Sequence, residues 1–270
     1  MPGGILRTKG CAICNQREGS MYRFFAEEGA IRMEEKRIRI TGSDVNHMKN
    51  VLRMKQGEQV TISDRKDNDY ICQILSLSDD CVELEILFRE EQGRELPARI
   101  YLFQGLPKSD KMELIIQKAV ELGAAGIIPV EMKRCVMKVD AKKARTKLER
   151  WNAIACAAAK QSKRGIIPEV HEILTMKEAL HFAKAELHTD LILLPYELAE
   201  GMEATKRMLE RLHSGMNIAV FIGPEGGFSP EEVVLAKENG AEIISLGRRI
   251  LRTETAGMAL LSAMMLRLEG

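Results

Sequence analysis

The chain has 270 residues, 45% hydrophobic and 29% charged, a balance that supports a packed core and excludes a disordered chain. Its formal net charge is +1, so any surface for a polyanion must be local. No apolar run approaches the roughly 20 residues of a membrane helix, and the opening "MPGGILRTKG" lacks the apolar stretch of a secretory signal. A cytoplasmic protein without membrane contact is expected, and the length favours two domains.

Residues 1–20 carry no periodic apolar pattern and read as a disordered extension, with Met21 as the natural start. Cys11 and Cys14 have the spacing of half a zinc site, but no second pair and no histidine stand nearby, so no metal is expected. From Arg37 the text turns strand-like: "RIRITG", "EQVTISD", "YICQILSLS" and "CVELEILF" alternate with a period of two. Ser43 is placed to cap a short helix, "DVNHMKNVLRMK", ending at Gly57. Residues 21–93 thus predict a small, mostly antiparallel β-domain of barrel or sandwich type. The polar segment Arg89–Arg99, with Gly93 and Pro97, reads as the linker.

Beyond it, strands and helices alternate. "RIYLFQGL" is a buried strand, and Ser109 is placed to cap a helix whose Met112, Ile115, Ile116, Ala119 and Val120 share one face and whose stop is Gly123. "AGIIPVE", "DLILLPYE", "NIAVFIG" and "AEIISLG" read as strands. "KKARTKLERWNAIACAAAKQS", Glu203 to His213 and "AGMALLSAMMLRLE" read as helices, with Trp151 at core spacing. Ser229-Pro230-Glu231-Glu232 is a capping box with proline at the first helical position, opening a helix that closes at Asn239-Gly240. The alternation predicts, over residues 97–270, a parallel sheet covered on both faces.

Two strand-to-helix segments hold site-like residues. In "FIGPEGGFSPEE", Phe221 to Glu232, glycines bring backbone close at a helix N-terminus, which suits anions. Yet the segment matches neither nucleotide-binding glycine signature, and Glu225, Glu231 and Glu232 would repel a phosphate. It is either a tight turn or the seat of a ligand that is neutral or cationic where it meets Glu225. "LGRRILRTETA", Leu246 to Ala256, sets Arg248, Arg249, Arg252, Thr253, Glu254 and Thr255 between a core strand and a core helix. Irregular polar backbone is costly to bury unpaired, so this is a site or an exposed charged loop.

A local basic zone runs from Val130 to Gly165, with eleven Lys or Arg against three acids, and points to a polyanion. Arg32, Lys36, Arg37, Arg39, Lys49, Arg53 and Lys55 form a second cluster. His47, His171, His181, His188 and His213 show no metal spacing, and no hydrolytic triad is suggested.

"LLPYE", "FIGPEGGFSPEE" and "LGRRILRTETA", in that order and each after a strand, resemble the SPOUT methyltransferases. "VLRMKQGEQVTISD", "LPKSDKMELIIQKAVELG", "KRCVM" and "AAAKQSKRGIIP" extend the likeness to the RsmE-type 16S rRNA (uracil-N3)-methyltransferases over Met21 to Gly270. The resemblance implies a PUA-like β-barrel, then an α/β domain with a SPOUT-type parallel sheet and a C-terminal trefoil knot. It implies a homodimer that acts on 16S rRNA of the 30S subunit and takes its methyl group from S-adenosyl-L-methionine (SAM). By motif, SAM would meet Leu194, Pro195, Ile222, Gly223, Pro224, Gly226, Gly227, Leu246, Gly247, Ile250, Leu251, Thr255 and Ala256. Arg248 stands where the family varies, and Ala157 and Lys160 where many members carry acids.

Under this resemblance, uracil N3 must lose a proton before it attacks a methyl group. Arg252, then Arg249, are the expected stabilisers of the uracil anion or its phosphate, and Glu225 the expected proton acceptor or orienting group. Lys108, Arg134, Gln161 and Arg164, with Arg23 and Arg53, are expected to grip the RNA backbone, and the target base to unstack. The alternatives are a SPOUT enzyme acting on a ribose 2′-O or on tRNA, and a non-catalytic RNA-binding ribosome-assembly protein.

Overall fold

The structure, a computed structural model, describes residues 21–270 except 28, 67, 92–93, 109, 138–140 and 200. The extension over 1–20, its two cysteines and the Ser109 cap fall outside the described residues.

Strands β1 (Arg23–Phe25), β2 (Ile31–Arg32), β3 (Arg37–Thr41), β4 (Gln59–Ser63), β5 (Asn68–Leu77) and β6 (Cys81–Glu91) form one sheet in the order β1-β4-β5-β6-β3-β2. Every pair is antiparallel except β1 with β4. Period-two patterning works here because alternate side chains, among them Ile38, Ile40, Val60, Ile62, Val82 and Leu84, meet in one core. The first two strands, three and two residues long, are too short to alternate legibly.

Helix α1 (Ser43–Asn46) passes directly into a π-helical turn over His47–Val51. Ser43 is therefore not the cap. Gly42, with φ 72°, turns the chain out of β3, and no side chain caps the helix. The helical segment also ends well before Gly57. Beyond it the β-domain runs through Glu91, three residues into the expected linker.

The second half contains β7 (Arg99–Gly105), α2 (Lys111–Glu121), β8 (Gly126–Glu131), α3 (Ala141–Gln161), β9 (Glu169–Val170), β10 (Leu174–Thr175) and α4 (Met176–His181). There follow β11 (Leu191–Pro195), α5 (Glu203–Arg211), β12 (Asn217–Ile222), α6 (Pro230–Glu238), β13 (Glu242–Ile244) and α7 (Thr253–Glu269). The sheet order is β10-β8-β7-β12-β11-β13, with β9 on β8, and every pairing is parallel.

Helices cover both faces, so the central strands are buried on both sides and read as continuous apolar text. One face packs Ile115 and Ile116 of α2, Trp151 and Ala155 of α3, and Leu260 and Met264 of α7. The other packs α4 and α6, with Phe103 and Phe221 stacked 4.4 Å apart on neighbouring strands. From β7 the chain steps outward through β8 on one side and later fills the other side with β11, β12 and β13. The switch point therefore lies between β7 and β12. Ligands of open α/β sheets sit beyond the strand C-termini at such a point.

The two halves are joined by a buried charge network around Arg164, whose residue is 4% exposed. Its guanidinium donates to the Val120 and Ala124 carbonyls at 3.0 and 2.7 Å and pairs with Glu95 in the linker. Glu95 also accepts the Gly165 and Ile166 N–H groups. From the β-domain, Arg23 donates to the Arg164 carbonyl at 3.2 Å and forms a buried ion pair with Asp69, while Ser63 donates to the Gly165 carbonyl at 2.9 Å. Burial pushes the Asp69 carboxyl up and the Arg23 guanidinium down, against their mutual attraction.

This overturns the expectation that Arg23 and Arg164 grip RNA. Both guanidinium groups are buried and held by protein oxygens, so they hold the domain joint. Removing one partner of a buried pair strands the other charge, so Asp69→Ala should lower unfolding free energy by about 3–5 kcal/mol. Arg145→Ala, which breaks the solvent-exposed pair with Glu149, should cost at most about 0.5 kcal/mol. Urea unfolding of the two variants checks the contrast.

Candidate functional site

A cavity of about 400 Å³ opens at the C-terminal edge of the parallel sheet. Three segments build it: Pro195–Glu197 after β11, the turn from Ile222 to Phe228 after β12, and Ser245–Thr253 after β13. Lys111, the first residue of α2, and Ala256 of α7 complete the wall. The volume lies in the range of small-molecule sites, about 300–1,000 Å³.

The glycine turn after β12 is held by elements far away in sequence. Ser229 and Glu232 form the expected capping box, with Pro230 at the first helical position. Glu232 also accepts the Lys133 N–H at 2.7 Å, and Arg134 donates to the Gly226 carbonyl at 3.0 Å. A Cβ on Gly226 would come within 3.0 Å of Arg134 Cβ, and one on Gly105 within 2.7 Å of the Pro224 ring and nitrogen. Glycine at these two positions lets the end of β7 and the segment after β8 press against the turn.

The polar segment after β13 is likewise paired. Thr205 donates to the Ser245 carbonyl at 2.6 Å, and Ser245 Oγ accepts the Gly247 N–H at 3.2 Å. Gln104, fully buried, donates through Nε2 to Thr253 Oγ1 at 2.8 Å, which in turn donates to the Gly223 carbonyl at 2.6 Å. That relay ties the end of β7, the start of α7 and the glycine turn together.

Glu225 accepts the Lys108 N–H at 3.0 and 3.3 Å and pairs with Lys111 at 3.2 Å. Burial works to raise its carboxyl pKa, but these hydrogen bonds and the Lys111 ammonium outweigh it and hold the group below its usual range. A carboxylate held low is a weak base near neutral pH, so orientation suits Glu225 better than proton acceptance.

Of the expected cofactor residues, Pro195, Ile222, Gly223, Pro224, Gly227, Leu246, Gly247, Ile250, Leu251 and Ala256 line the cavity, as do Glu225, Arg249 and Arg252. Three do not. Leu194 is buried within the sheet core, Gly226 backs onto Arg134, and Thr255 points to solvent from the first turn of α7. Lys111, Tyr196, Glu197, Phe228, Ser245, Arg248 and Thr253 were not anticipated as cofactor residues. Thr253 stands inside a quoted motif and was legible as a candidate. Lys111 arrives from α2, and only the fold brings it there. Arg249 and Arg252 are exposed and make no ion pair among the described residues.

The basic zone is less uniform than its sequence. Lys133 pairs with Glu231, Arg150 with Glu113 and Lys160 with Asp44, while Lys147 lies over the Trp151 ring. Lys108, Arg134, Gln161 and Arg53 are exposed. Among the described residues there is no cluster of metal-binding side chains, and no helix is long and apolar enough to cross a membrane.

A small β-sheet domain joined to a parallel α/β domain with a pocket at its switch point defines a two-domain class of ligand-binding α/β proteins. The model of the RNA methyltransferase domain matches residues 94–265, and that of the RNA methyltransferase PUA domain matches residues 40–87. The ribosomal RNA small subunit methyltransferase E of Bacillus subtilis is 37% identical over 247 residues, covering 90% of this chain and 95% of the relative. The enzyme of the same name from Neisseria gonorrhoeae, solved bound to S-adenosyl methionine, is 32% identical with a TM-score of 0.76, covering 90% of this chain and 96% of its own. A Legionella pneumophila protein solved with bound SAM is 31% identical with a TM-score of 0.77, covering 91% and 97%. The chain belongs to the ribosomal RNA small subunit methyltransferase E family.

Gly105→Ala should destabilise the protein by about 1–3 kcal/mol, because backbone at Pro224 must shift to admit the methyl group. Faster hydrogen exchange confined to residues 223–228 should accompany the loss.

Proposed function

We propose that this protein transfers the methyl group of SAM to N3 of a uridine in the 16S rRNA of the small ribosomal subunit. The observation that carries the reading is the cavity itself. It is formed by the three strand-end segments whose motifs suggest this family, and it is lined by apolar and backbone groups with a carboxylate at one side.

The residues fit the cofactor. Pro195, Ile222, Leu246, Ile250 and Leu251 supply an apolar wall for a purine and ribose, and the glycine turn lets backbone N–H and C=O groups reach polar edges. Glu225 sits where a positive charge is favoured over a phosphate. When bound, SAM supplies an electrophilic methyl group on a cationic sulfur. Arg252, with Arg249 beside it, steadies the anionic uracil or its phosphate, and both project from a segment whose backbone is held by Thr205 and Ser245. Exposed Lys108, Arg134, Gln161 and Arg53 hold RNA backbone, and the target base leaves its stack to reach the pocket.

The reading includes a cytoplasmic homodimer working on the 30S subunit, a C-terminal trefoil knot, and domains over 21–93 and 97–270. Incubation with labelled SAM and 30S subunits from cells lacking the protein should yield 3-methyluridine on nucleoside analysis. A 2′-O-methylated nucleoside, label in tRNA, or no transfer with SAM bound would overturn it. Arg252→Ala should lower the transfer rate by about a hundredfold while SAM affinity, read by calorimetry, stays near wild type.

A further inference from the structure

Lys111 and Glu225 stand at one side of the cavity, and a third half-buried charge, Glu254, backs Lys111 from behind the wall. Lys111 Nζ stands 3.2 Å from Glu225 Oε1 and 3.3 Å from Glu254 Oε2. The three side chains are 30%, 26% and 16% exposed, so they are largely withdrawn from water. Glu225 has the Lys108 N–H as a second partner. Glu254 Oε2 is buried and makes no hydrogen bond, which leaves the Lys111 ion pair as its compensation among the described residues. Two carboxylates thus share one ammonium, and the trio carries a formal charge of minus one.

Other charges on the wall count for less. Arg248, Arg249, Arg252 and the carboxylate Glu197 are exposed, where water and salt screen them, whereas a partly desolvated trio acts at a lower effective dielectric. A buried carboxylate oxygen without a donor is costly, and a second cation nearby would relieve that cost.

We propose that Lys111, Glu225 and Glu254 make this pocket selective for charge at the ligand's sulfur, so that it holds a sulfonium in preference to the neutral thioether left after methyl transfer. The inference rests on the SAM reading above. Donor and product differ only by the methyl group and the unit charge it carries, so attraction to the trio is present before transfer and absent afterwards. Product release is thereby favoured without any movement of the protein. Lys111 sets the size of the effect: it leaves one negative charge unmatched, which one sulfonium neutralises. Its place at the start of α2 keeps that balance independent of the exposed arginines.

Calorimetry with three ligands tests this: SAM, S-adenosylhomocysteine, and an aza analogue whose protonated amine replaces the sulfonium. The wild-type protein should bind both cationic ligands about tenfold more tightly than the thioether. Glu225→Gln and Glu254→Gln should each shrink that ratio by about threefold or more, and Lys111→Met should enlarge it. A trio that only braces the pocket would weaken all three ligands alike and leave the ratio fixed, which overturns the inference. Equal wild-type binding of SAM and the thioether also overturns it while leaving the SAM reading intact. Failure of all three ligands to bind overturns both. The wild-type ratio needs no variant, so a variant that fails to fold does not remove the test.

Discussion

The buried guanidinium of Arg164 is the interaction on which the arrangement of this protein depends. Arg164 donates to two carbonyls where the chain leaves α2, that of Val120 in its last turn and that of Ala124 just beyond it. Its remaining donors take Glu95 from the linker, and its own carbonyl takes Arg23 from β1. A planar, always-charged fork with five donors can satisfy three directions at once, which lysine could not. Because each of these charges is buried, loss of any one leaves another uncompensated, and the two halves are held in one orientation.

That joint also places the site. Helix α2 has its C-terminal end at the Arg164 network and its N-terminal end at the pocket, where Lys111 meets Glu225 and Glu254. Its 11 residues span roughly 16 Å at the rise of an α-helix. The β-domain and the pocket are therefore set at a fixed distance by a rigid element packed through Ile115, Ile116 and Val120 against the sheet. The irregular segments around the pocket are rigid for a related reason. Several of their polar groups find partners contributed by distant parts of the chain: Lys133 and Arg134 for the glycine turn, Thr205 for Ser245, and Gln104 for Thr253.

Much of this was legible from text alone, and its extent follows from the range of the interactions involved. The central strands and the helix faces declare themselves because their burial repeats with a fixed period: Met112, Ile115, Ile116, Ala119 and Val120 are all buried on α2. The capping box at Ser229 is a contact between residues three apart and appears in the structure as it reads in the sequence. Ser43 failed as a cap because Gly42 turns the backbone there, and the two residue types alone do not say which conformation each takes. The short strands β1 and β2 could not be read since they hold too few residues to show a period.

The charged residues mark the limit most clearly. Arg23, Arg164 and Arg134 look alike in the sequence, yet the first two are buried in the domain joint and the third is exposed beside the glycine turn. Lys111 and Glu254, 143 positions apart, meet only because α2 and α7 pack on the same face of the sheet. By itself the sequence determined the order of the longer strands and of every helix of the second half but α4, the parallel sheet and two of the three segments around the pocket, since each rests on local pattern and backbone preference. Which charges would be desolvated, and against what, was decided by the tertiary structure. A charge's role depends on its distance from others and from water, and neither is written in its neighbours along the chain.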